Sequence, residues 1–245
     1  MKSVILAGGF GERLNGDSGA KALIDINGKT ILERAVESIS FPRISKIYIL
    51  TNNLFFQDFI NWADSYEGNK DKIQIVNNLV DKKENRKGSV GDLGYIISER
   101  KLEGHSLLVL GSDNLFNFDI SKMLYTYDEI ARNNTVVGLY NLGDKEEAKR
   151  MGVPVLDGWR IKEVEEKPKD PKYSWVNTFL YVFSSHDVSE VQKYLETAKE
   201  EERDHMGRYI NYLARNFEVY GHPFFEGKWF DIGTKESLER ARREF

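Results

Sequence analysis

The stretch VILAGGFGERL, residues 4–14, combines a short apolar run with three glycines inside four positions. An apolar run of this length is typical of a buried strand, and glycines let the following backbone turn closely around a ligand. Successive backbone N–H groups in such a loop can form an anion-binding nest for phosphates. A purely structural turn between a strand and a helix has the same composition, so phosphate binding needs support from the rest of the chain.

Two well-known glycine motifs do not fit this chain. The dinucleotide fingerprint G-x-G-x-x-G would need its third glycine at Leu14. The segment NGKT, residues 27–30, resembles the end of a mononucleotide-binding loop, but Leu23 stands where that motif needs its first glycine. We therefore interpret the NG pair as a tight turn before a helix that Thr30 caps.

Hydrophobic periodicity predicts alternating strands and helices in the first half of the chain. The predicted strands are residues 3–7, 46–51, 72–76 and 106–111, and the predicted helices are residues 31–39, 55–62, 89–101 and 120–132. Strands that alternate with helices in this way are typical of βαβ units. The pattern predicts an α/β fold with a mostly parallel sheet covered by helices on both faces.

The pattern changes from about Thr135 onward. Strand-like runs dominate at residues 135–140, 153–156, 160–167, 178–183 and 217–221, with helical patterns at 188–200, 205–216 and 235–245. This pattern predicts that the second half of the chain forms an α+β lobe that binds a substrate. We expect one domain over residues 1–245, with a nucleotide-binding half at about 1–134 and an acceptor-binding half at about 135–245.

Composition excludes several classes of protein. Of 245 residues, 40% are hydrophobic and 30% charged, which is ordinary for a globular protein. The net charge of -4 predicts no general attraction to nucleic acid or to an anionic membrane surface. Cysteine is absent, so there is no disulfide framework, thiolate metal site or cysteine nucleophile. The apolar runs are too short for a signal peptide or a membrane span, and we expect a cytoplasmic protein.

Four charged residues are candidates for phosphate chemistry. Arg13 and Lys21 lie just beyond the glycines and could neutralise phosphate charge. Asp113 follows a predicted buried strand, at the sheet edge where α/β proteins bind ligands. Asp231 stands among aromatic residues ahead of a helix that Thr234 caps. Each also has a structural interpretation, as a surface cation, a turn residue or a cap.

Five ordered segments together resemble the sugar-nucleotide pyrophosphorylases, also called sugar-1-phosphate nucleotidylyltransferases. They are LAGGFGERL (6–14) with Lys21, LGSDNLF (110–116), VEEKP (164–168), VNTFLYVF (176–183) and WFDIGT (229–234). The resemblance implies a Rossmann-like α/β sheet, the nucleotide-diphospho-sugar transferase fold. It also implies Mg²⁺-dependent attack of a sugar 1-phosphate on a nucleoside triphosphate (NTP), which yields a nucleoside diphosphate sugar and pyrophosphate.

The resemblance also implies roles for individual residues. The implied nucleotide-binding positions are Leu6, Ala7, Gly8, Gly9, Gly11, Gly88 and Ser89. The implied catalytic positions are Arg13, Lys21 and Asp113, and Asp113 and Asp231 are the implied metal ligands. The implied positions that hold the sugar phosphate are Gly152, Glu165, Glu166, Lys167 and Asn177.

The chain departs from the family pattern in three places. Ala20 stands where a proline usually precedes the family lysine, and Ser112 separates Gly111 from Asp113. The loop from Arg13 to Lys21 is shorter than in thymidylyltransferase-type members and nearer in length to that of uridylyl- and cytidylyltransferases. These departures leave the nucleobase and the sugar open.

Two alternatives remain at this point. The first is a cytidylyl- or other nucleotidyltransferase that acts on a non-sugar phosphate, such as a polyol or choline phosphate. The second is a catalytically silent regulatory subunit that binds nucleotide sugars, although such a subunit would be free to lose Arg13, Lys21 or an aspartate that this chain keeps. The expected partners are small phosphorylated substrates, and a homo-oligomer is compatible with the sequence.

Overall fold

The structure is a computed structural model that describes residues 1–11 and 19–245. The chain forms two compact units. The first unit consists of Met1–Arg86, Val109–Phe118 and Lys228–Phe245, and the second of Lys87–Leu108 and Asp119–Gly227. The functional halves predicted at about 1–134 and 135–245 stay a prediction, because compactness does not say what a unit binds.

The described residues form strands and helices in the following chain order. The strands are β1 (Lys2–Ala7), β2 (Asp25–Ile26), β3 (Lys29–Thr30), β4 (Ile47–Thr51), β5 (Ile73–Asn77), β6 (Leu107–Gly111), β7 (Asn114–Phe116), β8 (Thr135–Asn141), β9 (Gly152–Asp157), β10 (Arg160–Glu166), β11 (Trp175–Phe183), β12 (Val219–Phe224) and β13 (Trp229–Asp231). The helices are α1 (Ile31–Ser38), α2 (Phe56–Ser65), α3 (Gly88–Arg100), α4 (Ser121–Tyr125), α5 (Lys145–Ala148), α6 (Ser185–Thr197), α7 (Met206–Asn216) and α8 (Lys235–Glu244).

Parallel strands form the centre of the first unit. Its strand order is β5-β4-β1, continued by the carboxyl end of β6. β1 pairs in parallel with β4, with Leu6 opposite Leu50, and β4 pairs in parallel with β5. Every residue of β4 is buried, as expected for a parallel strand covered on both faces. This arrangement confirms the predicted α/β fold.

The first unit also contains a smaller strand pair that the sequence did not predict. β7 and β13 pair antiparallel, although more than 110 residues separate them in the sequence. Each strand has only three residues, too few for a recognisable alternation of apolar and polar side chains. The short hairpin β2-β3 was predicted only as a turn, in which Asn27 and Gly28 have φ angles of 53° and 85°.

The second unit has a mixed sheet in the order β11-β8-β12-β10-β9. β8 and β12 run parallel, whereas β11 with β8, β10 with β12, and β10 with β9 run antiparallel. Helix α7 packs on β10, and α3 packs on α6. The mixture of strand directions confirms the predicted α+β character of the later part of the chain.

Local signals placed several helix ends correctly. The hydroxyls of Thr30 and Thr234 accept hydrogen bonds from the Glu33 and Ser237 amides, 3.1 Å each, as predicted for N-caps. The prediction of one regular helix over residues 120–132 is wrong in detail, because α4 ends at Tyr125 and a wider π-type turn follows. Within the described ranges, no helix is both long and apolar enough to cross a membrane.

Candidate active site

The first unit brings two predicted site residues together, Asp113 and Asp231. Asp231 ends β13 and lies directly opposite Asn114, the first residue of β7. The Ile232 amide donates a hydrogen bond to the Asp113 carbonyl oxygen at 2.9 Å. Directly opposite residues in an antiparallel pair have Cβ atoms about 5 Å apart. Since Asn114 follows Asp113 in the chain, strand pairing brings the backbones of the two aspartates close together.

Asn114 connects this strand pair through its side chain. Its Nδ2 donates to Oδ1 of Asp113 at 3.1 Å, and its Oδ1 accepts from the buried indole Nε1 of Trp229 at 2.8 Å. The amide is therefore fixed on one side by Trp229 and orients the Asp113 carboxylate on the other. A buried amide with both ends bonded leaves little freedom for the turn that carries Asp113.

A small apolar cluster supports the strand pair. Leu115 and Phe230 lie opposite each other in the β7-β13 register. The buried members of the cluster are Ile26, Ile31, Leu115, Phe230, Ile232, Leu238 and Ala241. Burial of one large apolar side chain contributes about 1.5–3 kcal/mol. The position of the aspartates thus depends on packing from α1 and α8 as well as on strand hydrogen bonds.

Lys21 lies beside Asp113. Its Nζ is 3.8 Å from Oδ2 of Asp113, and the two side chains are 18% and 37% exposed. An ion pair at this distance and exposure adds little to stability. Ala20, where the family usually has proline, has a φ of -66°. This is the angle that proline would fix, so the departure from the family pattern leaves the backbone path to Lys21 intact.

The glycine segment, residues 8–11, begins where β1 ends. Leu6 and Ala7 are buried in β1, while Gly9 is exposed. A Cβ added to Gly9 would meet no described atom within 4 Å, and its φ is not in the left-handed region. Gly11 differs, because its φ is +74° and an added Cβ would lie 3.1 Å from the Gly19 carbonyl oxygen. The prediction for Arg13 lies outside the described residues.

In the second unit, Glu166 lies in a space that two glycines leave open. Glu166 is opposite Gly152 in the β10-β9 register. A Cβ on Gly152 would lie 3.5 Å from Oε1 of Glu166, and a Cβ on Gly207 would overlap that oxygen at 2.1 Å. Gly207 is in the first turn of α7. Two predicted acceptor residues, Gly152 and Glu166, are therefore in contact, and Gly207 joins them.

The neighbours of Glu166 in β10 are placed differently. Glu165 is exposed, as expected because successive side chains of a strand point to opposite faces. Lys167 is exposed and has a φ of +50°, a left-handed conformation that is uncommon for a residue with a side chain. Its amide donates to the Met151 carbonyl oxygen at 2.9 Å, which closes the strand end.

The side chain of Asn177 makes internal hydrogen bonds. Its Oδ1 accepts from the Phe179 amide at 2.9 Å, and its Nδ2 donates to the Tyr181 hydroxyl at 2.8 Å. The β11-β8 register shifts at this point, and Phe179 has a φ of +55°. Burial raises the pKa of Tyr181, and the negative charge of Glu166 raises it further. Among the described residues, the Nδ2 hydrogens of Asn177 have one acceptor, so one amide hydrogen is left for a ligand.

Gly88 and Ser89 pack against the segment before α7. A Cβ on Gly88 would lie 2.5 Å from the Arg203 carbonyl oxygen, and Gly88 has a φ of +74°. The Ser89 hydroxyl donates to the Asp204 carbonyl oxygen at 3.0 Å. Because Gly207 contacts Glu166, the segment 203–207 touches the predicted nucleotide residues at one end and a predicted acceptor residue at the other.

Two residues that contact predicted site residues were not identified from the sequence. Asn52 follows β4 and donates from Nδ2 to the carbonyl oxygens of Gly8 and Gly9, 3.2 Å each. Gly207 makes room for Glu166. The polar pair Asn52-Asn53 after a strand was a usable signal for the first, and a glycine inside the helical pattern 205–216 for the second.

Parallel strands, a glycine segment at their carboxyl ends and nearby carboxylates are typical of α/β proteins that act on nucleotides. The family model described as nucleotidyl transferase matches residues 2–245. The chain therefore belongs to the nucleotidyl transferase family, which confirms the resemblance found in the sequence.

Individual relatives are similar over the whole chain. A protein of Sulfolobus acidocaldarius with the provisional name mannose-1-phosphate guanyltransferase is 26% identical over 100% of this chain and 63% of its own length. A glucose-1-phosphate adenylyltransferase of Clostridium novyi is 29% identical over 100% of this chain and 66% of its own length. The chain thus spans slightly less than two thirds of these two relatives.

A solved structure from Bacillus anthracis has the same fold. It is provisionally named a glucose-1-phosphate thymidylyltransferase and was crystallised with a sucrose. The two chains are 27% identical with a TM-score of 0.82, over 99% of this chain and 94% of the other. The names of the three relatives specify three different nucleobases.

Proposed function

We propose that this protein transfers a nucleotidyl group from an NTP to a sugar 1-phosphate. The products are a nucleoside diphosphate sugar and pyrophosphate. The observation that carries the proposal is that, within one unit of a nucleotidyl transferase family member, Lys21 pairs with Asp113 and Asp231 lies opposite Asn114, the residue after Asp113. All three relatives are named for sugar 1-phosphates, which favours a sugar phosphate over a polyol or choline phosphate as the acceptor.

The donor atoms near the strand pair fit a magnesium ion. Mg²⁺ prefers oxygen ligands and is usually held by one or two carboxylates together with phosphate oxygens and water. Asp113 and Asp231 offer two carboxylates of this kind. Among the described residues no group of three or more His, Cys, Asp or Glu side chains forms a closed metal cage. Asp113 and Asp231 would hold the ion, which neutralises charge on phosphate oxygens when bound.

The reaction needs positioning and charge neutralisation from the protein rather than a covalent intermediate. An oxygen of the sugar phosphate attacks the α-phosphorus of the NTP, the bond from that phosphorus to the bridging oxygen breaks, and pyrophosphate leaves. Lys21 supplies a positive charge beside Asp113, where the phosphate charge is to be held. Arg13 is proposed for the β- and γ-phosphates, since a guanidinium can bind two phosphate oxygens at once.

The second unit offers groups suited to the acceptor. The Glu166 carboxylate can accept hydrogen bonds from sugar hydroxyls, and the exposed Lys167 ammonium can bind a phosphate. Gly152 leaves space beside Glu166, and Asn177 retains one amide hydrogen for a ligand. Gly88 and Ser89 are proposed to lie along the base and ribose, with the Ser89 hydroxyl oxygen still able to accept a hydrogen bond.

The test is a matrix of substrates with pyrophosphate release as the readout. ATP, GTP, CTP, UTP and dTTP are each combined with glucose, mannose, galactose and N-acetylglucosamine 1-phosphates, and with choline and glycerol phosphates. We expect release with one or two NTPs, only when a sugar 1-phosphate and Mg²⁺ are both present, and no release in EDTA. Release with choline or glycerol phosphate alone would assign the other acceptor class. Binding of nucleotide sugars without any turnover would indicate a silent subunit.

A further inference from the structure

The side chain of Asn52 forms hydrogen bonds to two residues of the glycine segment. This asparagine follows β4 and is fully buried. Its Nδ2 has two hydrogens, and it donates to the carbonyl oxygens of Gly8 and Gly9 at 3.2 Å each. Its Oδ1 accepts from the Phe55 amide at 3.1 Å. All of the side chain's amide hydrogens are thus used, and two of its bonds go to the glycine segment.

These two bonds fix the orientation of two peptide planes. The described chain has no cis peptide bond, so each N–H points away from the C=O of the residue before it. Since the carbonyls of Gly8 and Gly9 face Asn52, the amides of Gly9 and Phe10 face away from it. Within the described residues neither of these two amides has a hydrogen-bond acceptor. Two successive amides with a common direction are the elements of an anion nest.

We propose that Asn52 is a positioning residue for the nucleotide. It holds the Gly8 and Gly9 carbonyls so that the amides of Gly9 and Phe10 are directed at the phosphates of the NTP. Without Asn52, the two carbonyls are free to rotate toward the ligand, where they would repel phosphate oxygens. This inference rests on the proposed function, because it names how the same nucleotide site is built.

Asn53 offers a matched control. It is the same residue type at the next position, it is exposed, and its Oδ1 accepts from Nδ2 of Asn77 at 2.8 Å instead of contacting the glycine segment. The experiment compares wild type, Asn52→Ala and Asn53→Ala. Calorimetric titration measures the Kd of the NTP among ATP, GTP, CTP, UTP and dTTP that binds wild type most tightly. Melting curves without ligand and the acceptor KM are measured on the same proteins.

We expect Asn52→Ala to raise the Kd of the NTP at least tenfold, equivalent to about 1.4 kcal/mol. The acceptor KM should change less than twofold, and Asn53→Ala should leave both values within twofold. A residue that only stabilises the fold would lower Tm and leave the Kd of the folded protein unchanged. An unchanged Kd in folded Asn52→Ala overturns this inference while wild-type NTP binding still supports the proposed function. Absence of NTP binding by wild type overturns both.

A second measurement applies if Asn52→Ala does not fold. In ¹⁵N-labelled wild type, the amide protons of Gly9 and Phe10 should shift downfield on addition of the same NTP, because they gain phosphate acceptors. The amides of buried β4 serve as the internal reference. If the Gly9 and Phe10 amides do not move while others do, the nucleotide binds elsewhere and the inference is wrong.

Discussion

The two units hold their candidate carboxylates in different ways. In the first unit, backbone pairing of β7 with β13 places Asp113 and Asp231, and an apolar cluster beneath the strands fixes the pair. In the second unit, Glu166 is placed by packing, in space that Gly152 and Gly207 leave free. The two aspartates can therefore be replaced without disturbing the fold, because the backbone places them. Glu166, by contrast, can be displaced by a substitution at a neighbouring residue while Glu166 itself stays unchanged.

The largest effect is expected at the backbone-placed aspartates. Asp113→Asn and Asp231→Asn keep the strand pair and remove a carboxylate charge, so each should lower turnover about 10²–10³-fold, in the range seen when one electrostatic group is removed from an active site. Unliganded Tm should stay within a few degrees of wild type. Pyrophosphate release at saturating Mg²⁺ measures turnover, and melting curves without ligand measure Tm. Near wild-type turnover in either variant would remove that aspartate from the metal site.

The next effect tests placement by packing. Gly207→Ala should push the Glu166 carboxylate aside, because the new Cβ would overlap its Oε1. We expect the acceptor KM to rise about tenfold with the nucleotide KM unchanged, and overpacking to lower stability by about 1–3 kcal/mol. Substrate titrations with Gly207→Ala and Glu166→Gln give the comparison, and both should move the acceptor KM in the same direction.

A control for overpacking is available elsewhere in the second unit. Gly94→Ala places a Cβ 2.3 Å from Cδ1 of Leu195, away from Glu166. It should lower stability in the same way and leave the acceptor KM unchanged. If Gly94→Ala and Gly207→Ala raise the acceptor KM equally, the effect of Gly207 comes from lost stability and Glu166 is not an acceptor residue.

A smaller effect is expected at Lys167, which combines an exposed ammonium with a left-handed backbone. Lys167→Ala and Lys167→Gly both remove the charge and should raise the acceptor KM by a similar factor of about 3–10, or about 0.7–1.4 kcal/mol. Their stabilities should differ, because a left-handed conformation costs a residue with a Cβ about 1–2 kcal/mol and costs glycine nothing. Denaturant unfolding should therefore show the glycine variant to be the more stable. Equal stabilities would mean that the backbone relaxes on substitution.

The smallest effect is expected at Ser89. The bond from its hydroxyl to the Asp204 carbonyl oxygen ties the start of α3 to the segment before α7. Ser89→Ala should cost about 1 kcal/mol of unfolding free energy, the usual worth of one hydrogen bond. The Kd of the NTP should rise about threefold or less, since backbone atoms at Gly88 and Ser89 stay in place. A tenfold rise would show that the hydroxyl itself binds the nucleotide.

The sequence predicted the regular parts of the fold because periodicity and caps act locally. The buried strand 47–51, helix α3 and the Thr30 and Thr234 caps all follow from such signals. β7 and β13 did not follow, since each is three residues long and their partner lies more than 110 residues away. A short strand whose partner is distant carries no periodic signal of its own.

The candidate site likewise contains residues that the sequence identified and residues that it did not. Asp113, Asp231 and Lys21 were identified as candidate residues from the sequence, and the convergence of the two aspartates on a metal ion stays a prediction, which the β7-β13 register supports. Asn52 and Gly207 act through contacts across the fold, so no local pattern indicates what they touch. Within the described residues that follow β1, Gly11 has a left-handed φ and Gly9 does not. Gly9→Ala is thus free of backbone strain.

The two units are completed at different times during synthesis of the chain. All residues of the second unit, 87–108 and 119–227, leave the ribosome before Lys228–Phe245, which completes the first. Domains of a growing chain generally fold as units, at a synthesis rate of about 5–20 residues per second. The residues around Glu166 are therefore synthesised before β13, the partner strand of β7. Until β13 emerges, Asp113 has no neighbouring Asp231, and a stalled chain would lack half of the proposed metal site.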